Sequence, residues 1–534
     1  MSLPNHLPSQ TASATPPVLR TLVDELLDQQ QSLPAAEQFS KWNGKPPAAP
    51  GERYRALLPA PRPAPGQQYA FEVDLDACTG CKACVAACHS LNGLEEDESW
   101  RSAGLLVSEN PRQSHRQTVT TACHHCVDPG CANGCPVLAY EKDPATGIVR
   151  HLDDQCMGCN YCTMTCTYSV PRYSPARGIV RKCDMCRQRL DAGEPPACAQ
   201  ACPNGAIRIV LVGTESVRSE VKPGTALLPG AAPSRITLPS TQFVSQVPVR
   251  EDMVAEVDAT ADLQPAHWPL VWMLTLTQTG TGILGAAVVQ ESTVLLVASA
   301  LLLLAGNVAA VFHLGRPLKA WRAWMGWRKS WLSREIMAFG IQMPAVLLAV
   351  GSIVSGISLP DSAFPAVLWT SLLAGIAGVF SSGMVYHVTH RPSWRGPRSL
   401  LRFSLTVLSA FASSLWIGSY SVFAVAGLAV VSAAKMGCEI HWQRLALEGP
   451  EGPLAASARI LDSTLGLAWR LRVTALLLGG IVLPLVSLTA SVVPIPVLSA
   501  SAILLLAGEV LERLLFFRAA QPWHMPGWVT SAKS

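Results

Sequence analysis

Charged residues are scarce in this sequence. Only 15% of its 534 residues are Asp, Glu, Lys or Arg, whereas about 25% is usual for a soluble domain. The 41 basic and 37 acidic residues leave a net charge of +4, which is too small to indicate a nucleic-acid partner. The mean hydropathy of +0.27 is too high for a soluble enzyme and too low for a chain wholly within lipid. The average must therefore combine two different parts.

Export signals are also lacking. Near the N-terminus there is no basic start followed by an apolar stretch and a small-residue cleavage site, and no twin-arginine pair. Residues 1–67 are rich in Pro, Ala, Ser and Gln, which predicts an irregular extension. Within it Leu19, Leu22 and Leu26 recur at helical spacing and predict one short amphipathic helix.

Cysteine is nearly absent outside one region, since all but Cys438 lie between Cys78 and Cys202. The first and third groups of four have the spacing Cys-x2-Cys-x2-Cys-x3-Cys. The second is Cys-x2-Cys-x4-Cys-x3-Cys-Pro and the fourth is Cys-x2-Cys-x11-Cys-x3-Cys-Pro. The four groups are Cys78, Cys81, Cys84 and Cys88; Cys123, Cys126, Cys131 and Cys135; Cys156, Cys159, Cys162 and Cys166; and Cys183, Cys186, Cys198 and Cys202.

The spacing of the first and third groups is that of bacterial ferredoxins. Three thiolates on a tight loop bind one [4Fe-4S] cube and the fourth reaches a second cube, and soft thiolates suit iron. Structural zinc typically uses two well-separated pairs, and disulfides are not expected for dense Cys-x2-Cys pairs in a cytoplasmic domain. We therefore predict an α+β ferredoxin-like domain over residues 68–210, with strands at Tyr69–Leu75 and Ala206–Val212 and four [4Fe-4S] clusters in a row.

Residues 211–264 form a Pro-, Gly- and Ser-containing connector, and the composition changes abruptly at Trp268. Long apolar runs follow, most of them near or above the roughly 18–20 residues that span a membrane as a helix. Gly418-Ser-Tyr-Ser421 predicts that the longest run divides into two helices. We expect an all-α polytopic membrane domain of about eight transmembrane helices over residues 265–534. The runs are 268–289, 293–313, 336–357, 364–388, 403–438, 473–490 and 494–516.

Basic residues in alternate loops predict the orientation. Two loops carry arginines and lysines without an acid, whereas the loops between them carry only Glu291 and Asp361. If the number of transmembrane helices is eight, Arg472 and the basic residues near it also lie on the same side of the membrane as these two basic loops. We therefore expect the bacterial inner membrane, with the cysteine domain on the cytoplasmic side. The basic residues of the two loops are Arg316, Lys319, Arg322, Arg328, Lys329 and Arg334, and Arg391, Arg395, Arg398 and Arg402.

The cysteine motifs closely resemble the four-cluster iron–sulfur subunit of the dimethyl sulfoxide reductase family of molybdenum enzymes. The resemblance implies that groups one and four interleave around two clusters and groups two and three around the other two. Relatives often have Pro where Thr167 stands, and some replace the residue at Cys159, where we predict a full cube. The motifs are Cys78-Thr-Gly-Cys-Lys-Ala-Cys-Val-Ala-Ala-Cys88, Cys123-His-His-Cys126 and Cys156-Met-Gly-Cys-Asn-Tyr-Cys-Thr-Met-Thr-Cys166.

The membrane half looks like the anchor subunit of the same family. Such anchors exchange electrons with quinone or quinol without haem, so no haem is expected. The iron–sulfur subunit and the membrane anchor are usually separate chains, and here they are fused in one chain. The resemblance implies a molybdopterin-containing catalytic subunit on another chain, so that this chain is a non-catalytic electron-transfer subunit. Cys88-His-Ser-Leu-Asn-Gly-Leu looks most like cytoplasmic sulfite dehydrogenase relatives, followed by dimethyl sulfoxide reductases. The anchor motifs are His267-Trp-Pro-Leu270 with Gln278, His313-Leu-Gly-Arg-Pro317, Trp331-Leu-Ser-Arg-Glu335 and Gly508-Glu-Val-Leu-Glu-Arg513.

A quinol that loses two electrons also loses two protons, so its site needs a titratable group at the membrane edge. His313 and Glu335 flank the same basic loop, and the resemblance associates the matching residues with quinol binding. Arg316 and Arg334 are candidates for positioning the headgroup. The same residue types also suit helix ends and the interfacial belt.

Three alternatives remain at this point. A haem-bearing anchor of the formate dehydrogenase or nitrate reductase type would use His387, His390 or His441 as axial ligands. A quinone-coupled ion translocator would use Glu509 and Glu512, which lie in an apolar run, although Glu512 next to Arg513 is also the pattern of a helix exit. A zinc-binding membrane scaffold is the third.

Overall fold

The structure is a computed structural model. It describes residues 57–527 apart from 60, 97, 109–114, 257–262, 358, 361 and 490–493, and in addition residues 22 and 25. Of the predicted amphipathic helix near the N-terminus only Leu22 and Glu25 are described, and both are helical and exposed. The rest of that helix lies outside the described residues.

Two small sheets hold the cysteine-rich region together. In the first, β1 (Gln67–Asp74) pairs antiparallel with β8 (Ile207–Gly213) and parallel with β9 (Gln242–Val244). Apolar side chains such as Phe71 and Ile209 are buried on one face, as strand alternation requires. The pairing of β1 with β8 confirms both predicted strands and joins the two ends of the region.

The second sheet has the order β10, β2, β3, and two hairpins complete the strands. The predicted connector is thus not only a linker, because β9 and β10 extend one sheet each. The remaining strands are β2 (Ser102–Ser108), β3 (Arg116–Thr121), β4 (Tyr140–Lys142), β5 (Val149–His151), β6 (Arg172–Ser174), β7 (Ile179–Arg181) and β10 (Met253–Ala255).

Short helices follow the cysteine loops. Before α1 (Ala83–Asn92) the loop passes through Gly80 at φ 69° and Lys82 at φ 61°. Before α3 (Tyr161–Thr165) it passes through Gly158 at φ 71° and Asn160 at φ 57°. A Cβ at Gly158 would collide with the carbonyl oxygen of Gly178. The two motifs of equal spacing therefore share one left-handed loop shape, in which glycine costs least. The other short helices are α2 (Gly130–Gly134), α4 (Arg187–Asp191), α5 (Ala197–Gln200) and α6 (Thr214–Glu220).

The C-terminal half is helical. The predicted division of the run 403–438 is confirmed, because one helix ends at Ser419 and the next begins at Val422, with Tyr420 left-handed at φ 51°. Cys438 lies half-buried in the second of these helices. The helices are α7 (Trp268–Gln290), α8 (Thr293–Val311), α9 (Trp331–Ser355), α10 (Ala363–His387), α11 (Gly396–Ser419), α12 (Val422–Glu448), α13 (Pro453–Asp462), α14 (Gly466–Leu477), α15 (Leu483–Ser487) and α16 (Ile495–Arg518).

Seven helices in the described part of the chain are long and apolar enough to cross a membrane, if α14 and α15 are counted as the single span Gly466–Ser487. The predicted number is eight. The helix that makes the difference is α7. It is 23 residues long, but it contains the polar residues Thr275, Gln278 and Thr281, which are all fully buried. Its polar residues serve contacts inside the bundle rather than contacts with lipid.

The segment between α8 and α9, residues 312–330, is here called the docking loop because it lies against the cysteine-rich region. Arg316 Nη1 donates to the Asp153 carbonyl oxygen at 3.0 Å and Lys319 Nζ to that of Asp154 at 2.5 Å. The Gly326 N–H donates to the Pro136 carbonyl oxygen at 2.9 Å. The basic residues that predicted orientation therefore also attach the cysteine-rich region to the membrane half, on the same side.

The residues after α16 return to the cysteine-rich region. Met525 is buried in one core with Leu106 and Val119 of the second sheet. The Thr121 hydroxyl donates to the Pro526 carbonyl oxygen at 3.4 Å. The two halves are thus connected both through the docking loop and through this C-terminal segment.

Candidate metal centres and membrane site

Sixteen cysteines form four sets of four, and two of these sets line cavities. Set A, Cys78, Cys81, Cys84 and Cys202, lines one cavity. Set C, Cys123, Cys126, Cys131 and Cys166, lines another. In each set three cysteines come from one motif, and the fourth is the last cysteine of a different motif. The chain therefore interleaves groups one and four, and groups two and three.

The other two sets are recognised by the mutual influence of their thiols. Burial raises the pKa of Cys159 to about 12, and its neighbours Cys135 and Cys156 contribute to the rise. Burial likewise raises the pKa of Cys88 to about 12, with Cys198 and Cys186 close by. The full memberships are set B, Cys88, Cys183, Cys186 and Cys198, and set D, Cys135, Cys156, Cys159 and Cys162.

The thiol sets do not have the arrangement of a single-ion site. In the described parts of the chain no three His, Cys, Asp or Glu side chains are arranged to hold a single metal ion. Backbone N–H groups point at the sulfurs, from Gly158 to Cys156 Sγ at 3.4 Å and from Met185 to Cys183 Sγ at 3.3 Å. Such donors stabilise anionic cluster sulfur, so these residues fit iron–sulfur cubes.

One buried residue lies close to thiols of sets A and B, a second to thiols of sets B and C, and a third to thiols of sets C and D, so the sets adjoin in this order, which is here called the row. Arg101 lies between sets A and B, close to Cys84 and Cys198. Lys182 lies between sets B and C, and Tyr140 between sets C and D. The row begins at the exposed Cys81.

Set D lies at the membrane half. The Gly315 N–H donates to the Gly158 carbonyl oxygen at 3.2 Å, and the Tyr161 hydroxyl donates to the Val385 carbonyl oxygen at 2.7 Å. Cys159 packs against a hydrophobic core that contains Tyr161 and residues of α7, α9, α10 and α16. The last thiol set of the row is therefore in direct contact with the helical bundle.

Glu335 is the predicted quinone residue that lies beside this contact. Its side chain in α9 is 3% exposed and accepts a hydrogen bond from the hydroxyl of Ser382 in α10. The side chains of Tyr161 and Tyr386 lie close to this carboxyl group. A carboxyl group is thus enclosed between the bundle and the loop of set D.

The side chains of the other predicted quinone residues contact groups other than Glu335. His313 is half-buried, and burial lowers its pKa. Within the described residues no hydrogen bond or ion pair joins it to Glu335. The side chain of Arg316 donates to the carbonyl oxygens of Asp153 and Arg177. Arg334 donates to two carbonyl oxygens of the docking loop, and its guanidinium lies 4.2 Å from the Trp331 ring centre. Both arginines therefore contact backbone.

The three histidines considered as haem ligands lie at helix ends and surfaces. His387 Nδ1 accepts a hydrogen bond from the Gly396 N–H at 2.9 Å. His390 and His441 are exposed. The contact of His387 is the one expected of a histidine that fixes the turn between α10 and α11.

A buried network of charges crosses the bundle, and the sequence interpretation missed its extent. Lys435 Nζ donates to Glu509 Oε2 at 2.5 Å and to Thr406 Oγ1 at 2.7 Å. Arg472 Nη2 donates to Glu439 Oε1 at 3.2 Å and to Glu509 Oε1 at 3.4 Å. Arg472 was expected among loop charges, which is wrong: it is fully buried in α14, where its two glutamate partners compensate its charge.

The network continues to the first membrane-half helix. Arg513 Nη2 donates to Gln278 Oε1 of α7 at 2.5 Å and to Thr406 Oγ1 at 2.8 Å. It also pairs with Glu512. Both members of that pair are buried, so they do not mark a helix exit. A signal in the sequence was available: Lys435–Glu439 and Glu509–Arg513 are opposite charges four residues apart, which share a helix face.

Two protein-family models match the chain. A 4Fe-4S dicluster domain matches residues 115–211. The dimethyl sulfoxide reductase anchor subunit (DmsC) matches residues 266–518. The expected iron–sulfur region and the expected membrane anchor are therefore both confirmed, in one polypeptide.

Single proteins match the iron–sulfur region. The hydrogenase-2 operon protein HybA of Escherichia coli O157:H7 is 36% identical over 185 residues, which are 30% of this chain and 56% of the relative. The B subunit of the anaerobic dimethyl sulfoxide reductase of Haemophilus influenzae is 32% identical over 183 residues, 33% of this chain and 87% of the relative. The corresponding B subunit of Escherichia coli K12 is 37% identical over 144 residues, 26% of this chain and 70% of the relative. The protein thus spans about half of HybA but most of the two reductase B subunits.

Proposed function

Because the protein belongs to the family of dimethyl sulfoxide reductase iron–sulfur B subunits, we propose that it conducts electrons between the membrane quinone pool and a molybdopterin-containing catalytic subunit. That the chain is an iron–sulfur electron-transfer protein with a membrane anchor follows from its two matched domains. The observation that carries the rest is the row of four thiol sets, which extends from the exposed Cys81 to the loop beside the buried Glu335.

Each set holds one [4Fe-4S] cluster in this proposal. The sixteen ligands are the members of sets A to D, and each bound cluster supplies one-electron transfer to its neighbour. Set A, at the exposed end of the row, faces the catalytic subunit. Dimethyl sulfoxide reductases and sulfite dehydrogenases are the two proposed classes of partner, and either direction of electron flow suits the same row.

The quinone site lies at Glu335. Oxidation of a quinol releases two electrons and two protons. The Glu335 carboxylate next to set D would accept one of these protons and water at the membrane edge the other, while the electrons would pass one at a time to the cluster that set D would hold. The Ser382 hydroxyl holds that carboxylate in place. His313 and the arginines at 316 and 334 belong to the same membrane edge through the docking loop, where they line the approach.

The chain is proposed to lie in the bacterial inner membrane, with the thiol sets on the cytoplasmic side. The support is the docking loop, whose basic residues contact the cysteine-rich region and belong on the cytoplasmic side by the positive-inside rule. Trp321 and Trp324 of this loop are exposed at 66% and 57%, as interfacial belt residues are. An eighth span, formed by α7, is part of this proposal because both of its ends connect to spanning helices or to the cysteine-rich region.

The test is quinol-driven reduction of the clusters in the full chain with its catalytic partner. Stopped-flow absorbance after mixing with a reduced quinol should show fast reduction, and Glu335→Gln should abolish it while dithionite still reduces all clusters. Glu291→Gln, an exposed carboxylate at the far end of α7, is the matched control. Unchanged quinol oxidation in the Glu335 variant would reject the site, and about four irons in place of about sixteen would reject the row.

A second candidate function, quinone-coupled ion translocation, is supported by the buried charges around Lys435, Glu509 and Arg513. Proton flux during quinol oxidation in sealed vesicles distinguishes it from the simple anchor. A haem-bearing anchor is distinguished by optical spectroscopy, since b-type haem absorbs strongly in the visible region. The match to a DmsC-type anchor and the backbone contact of His387 favour the haem-free form.

A further inference from the structure

Lys182 is a buried cation in the middle of the thiol row. It follows β7 directly and precedes Cys183, and only 3% of it is exposed. Its ammonium donates to the carbonyl oxygens of Val149 and Cys183 and to Cys123 Sγ, the last at 3.4 Å. These three contacts use all three donors of the group. No carboxylate contacts it within the described residues, so its positive charge is not compensated by an acidic residue.

Arg101 is the second such cation. Only 2% of it is exposed, and its Nη1 donates to the Thr120 hydroxyl at 3.3 Å. Its guanidinium lies 4.7 Å from the ring centre of Phe71. The same Thr120 hydroxyl lies 3.4 Å from Cys84 Sγ of set A, and Cys198 of set B is also among the chargeable neighbours of Arg101. In the described part of the chain it also has no carboxylate partner.

A buried cation without an anion is strongly unfavourable, so both positions require a negative group nearby. The sulfurs of the flanking sets are the groups available. With two ferric irons, two ferrous irons, four sulfides and four thiolates, a cluster has a formal charge of −2, and it becomes −3 when it accepts an electron. A fixed positive charge at the junction therefore stabilises the reduced cluster more than the oxidised one.

The third junction differs. Between sets C and D lies Tyr140, a neutral phenol that is 9% exposed. Cations thus stand at the A–B and B–C junctions, and set B lies against both. The difference in charge along the row has no counterpart in the cysteine motifs, which are similar in all four groups.

We infer that Lys182 and Arg101 are redox-positioning residues, whose buried charges raise the reduction potentials of the clusters on either side of them. Lys182 acts on the clusters of sets B and C, and Arg101 acts on those of sets A and B. The inference rests on the proposed function, because it needs clusters in these sets. It adds a determinant of the potentials that lies outside the ligands themselves.

The experiment is a redox titration of the full chain with its catalytic partner, monitored by low-temperature paramagnetic resonance. Lys182→Gln keeps donors for the carbonyl oxygens but has no charge, and Lys182→Arg keeps the charge. Lys142→Gln is the matched control, because Lys142 also donates to carbonyl oxygens, those of Cys126 and Val127, beside set C but is only half-buried. Solvent should screen its charge. Arg101→Gln tests the other junction.

In Lys182→Gln we expect two transitions to move to lower potential. At a fixed ambient potential the ratio of reduced to oxidised cluster should fall tenfold or more, which is about 59 mV for a one-electron couple. In Lys182→Arg and Lys142→Gln this ratio of reduced to oxidised cluster should stay within threefold of the wild-type ratio. Arg101→Gln should also move two transitions, one of them shared with Lys182→Gln.

Two outcomes overturn the inference. One is a Lys182→Gln or Arg101→Gln protein that has wild-type iron content and in which, for all four clusters, the ratio of reduced to oxidised cluster stays within threefold of the wild-type ratio. The other is loss of iron from both variants, which would make the two cations structural. Failure of the proposed function is distinct, since the wild-type protein itself would then lack four clusters.

Discussion

The hydroxyl of Tyr161 donates a hydrogen bond to the carbonyl oxygen of Val385, 2.7 Å away. Tyr161 begins α3 next to Cys162 of set D, and Val385 lies in α10, three residues after the Ser382 that holds Glu335. This bond therefore connects the last thiol set of the row with the helix that forms the candidate quinone site. The rate of electron transfer between the quinone site and the clusters depends on the distance between set D and α10. The hydrogen bond should therefore affect the rate of quinol-driven cluster reduction.

Tyr161→Phe should lower both stability and the rate of quinol-driven reduction. The substitution leaves the Val385 carbonyl oxygen buried without its donor, which costs about 1–3 kcal/mol. We expect a lower thermal midpoint of the solubilised protein and slower cluster reduction in stopped flow, with unchanged iron content. Tyr173→Phe, in the same region but half-buried, serves as the control. A Tyr161→Phe protein with wild-type rate and midpoint would show that the bond does not hold the two elements together.

The attachment of the cysteine-rich region to the docking loop should be insensitive to salt. Arg316, Lys319 and Arg322 contact carbonyl oxygens rather than carboxylates, and hydrogen bonds to neutral acceptors are screened little by ions. Limited proteolysis of the solubilised protein should release no more cysteine-rich fragment at 1 M than at 0.1 M salt. Lys319→Ala combined with Arg316→Ala should increase that release at both concentrations, whereas release that rises steeply with salt would indicate ion pairing.

The sequence predicts most of the electron-transfer row and little of its surroundings. The candidate cluster ligands are recognisable because in sets A, C and D three of the four cysteines lie within a few residues of one another, where local spacing determines geometry. Lys182 is not recognisable in this way, because its role comes from Val149 and Cys123, which are distant along the chain. Long apolar runs predict helices for the same local reason, and the break at Tyr420 follows from its turn residues.

The pairing of charges inside the bundle is a tertiary property. Arg472 is of a residue type that is typical of loops, but it is buried because it forms ion pairs with Glu439 and Glu509 on two other helices. Glu335 was selected as a candidate through its position in a motif, whereas its contact with Ser382 required the packing of α9 on α10. Residues whose chemistry depends on a partner in another element are thus the ones that sequence reading misses.

The protein should lose stability as the pH falls from 7.5 to 5, and His267 should account for part of the loss. Burial lowers the pKa of His267 to about 4, below the 6.5 of an unfolded histidine. The unfolded state therefore binds the proton first, so the stability is lost as the pH falls through 6.5 towards 4. The effect should reach about 2 kcal/mol at pH 5. Thermal midpoints of His267→Gln should vary less with pH than those of the wild type. Equal slopes in the two proteins would contradict the assignment.

Lys435→Met should be strongly destabilising, and a second substitution should recover part of the loss. Removing Lys435 leaves Glu509 buried with one cationic partner fewer, and breaking a buried pair in this way costs about 3–5 kcal/mol. Lys435→Met with Glu509→Gln removes both charges of the 2.5 Å pair, so the double variant should be more stable than the single one. The matched control is Arg459→Met, which breaks an exposed ion pair with Glu451 and should cost less than about 1 kcal/mol. The measurement is a double-mutant cycle of unfolding in detergent. If the double variant loses the sum of the two single losses, Lys435 and Glu509 do not stabilise each other, and their proximity cannot be the reason that six charged side chains are tolerated together in α12, α14 and α16.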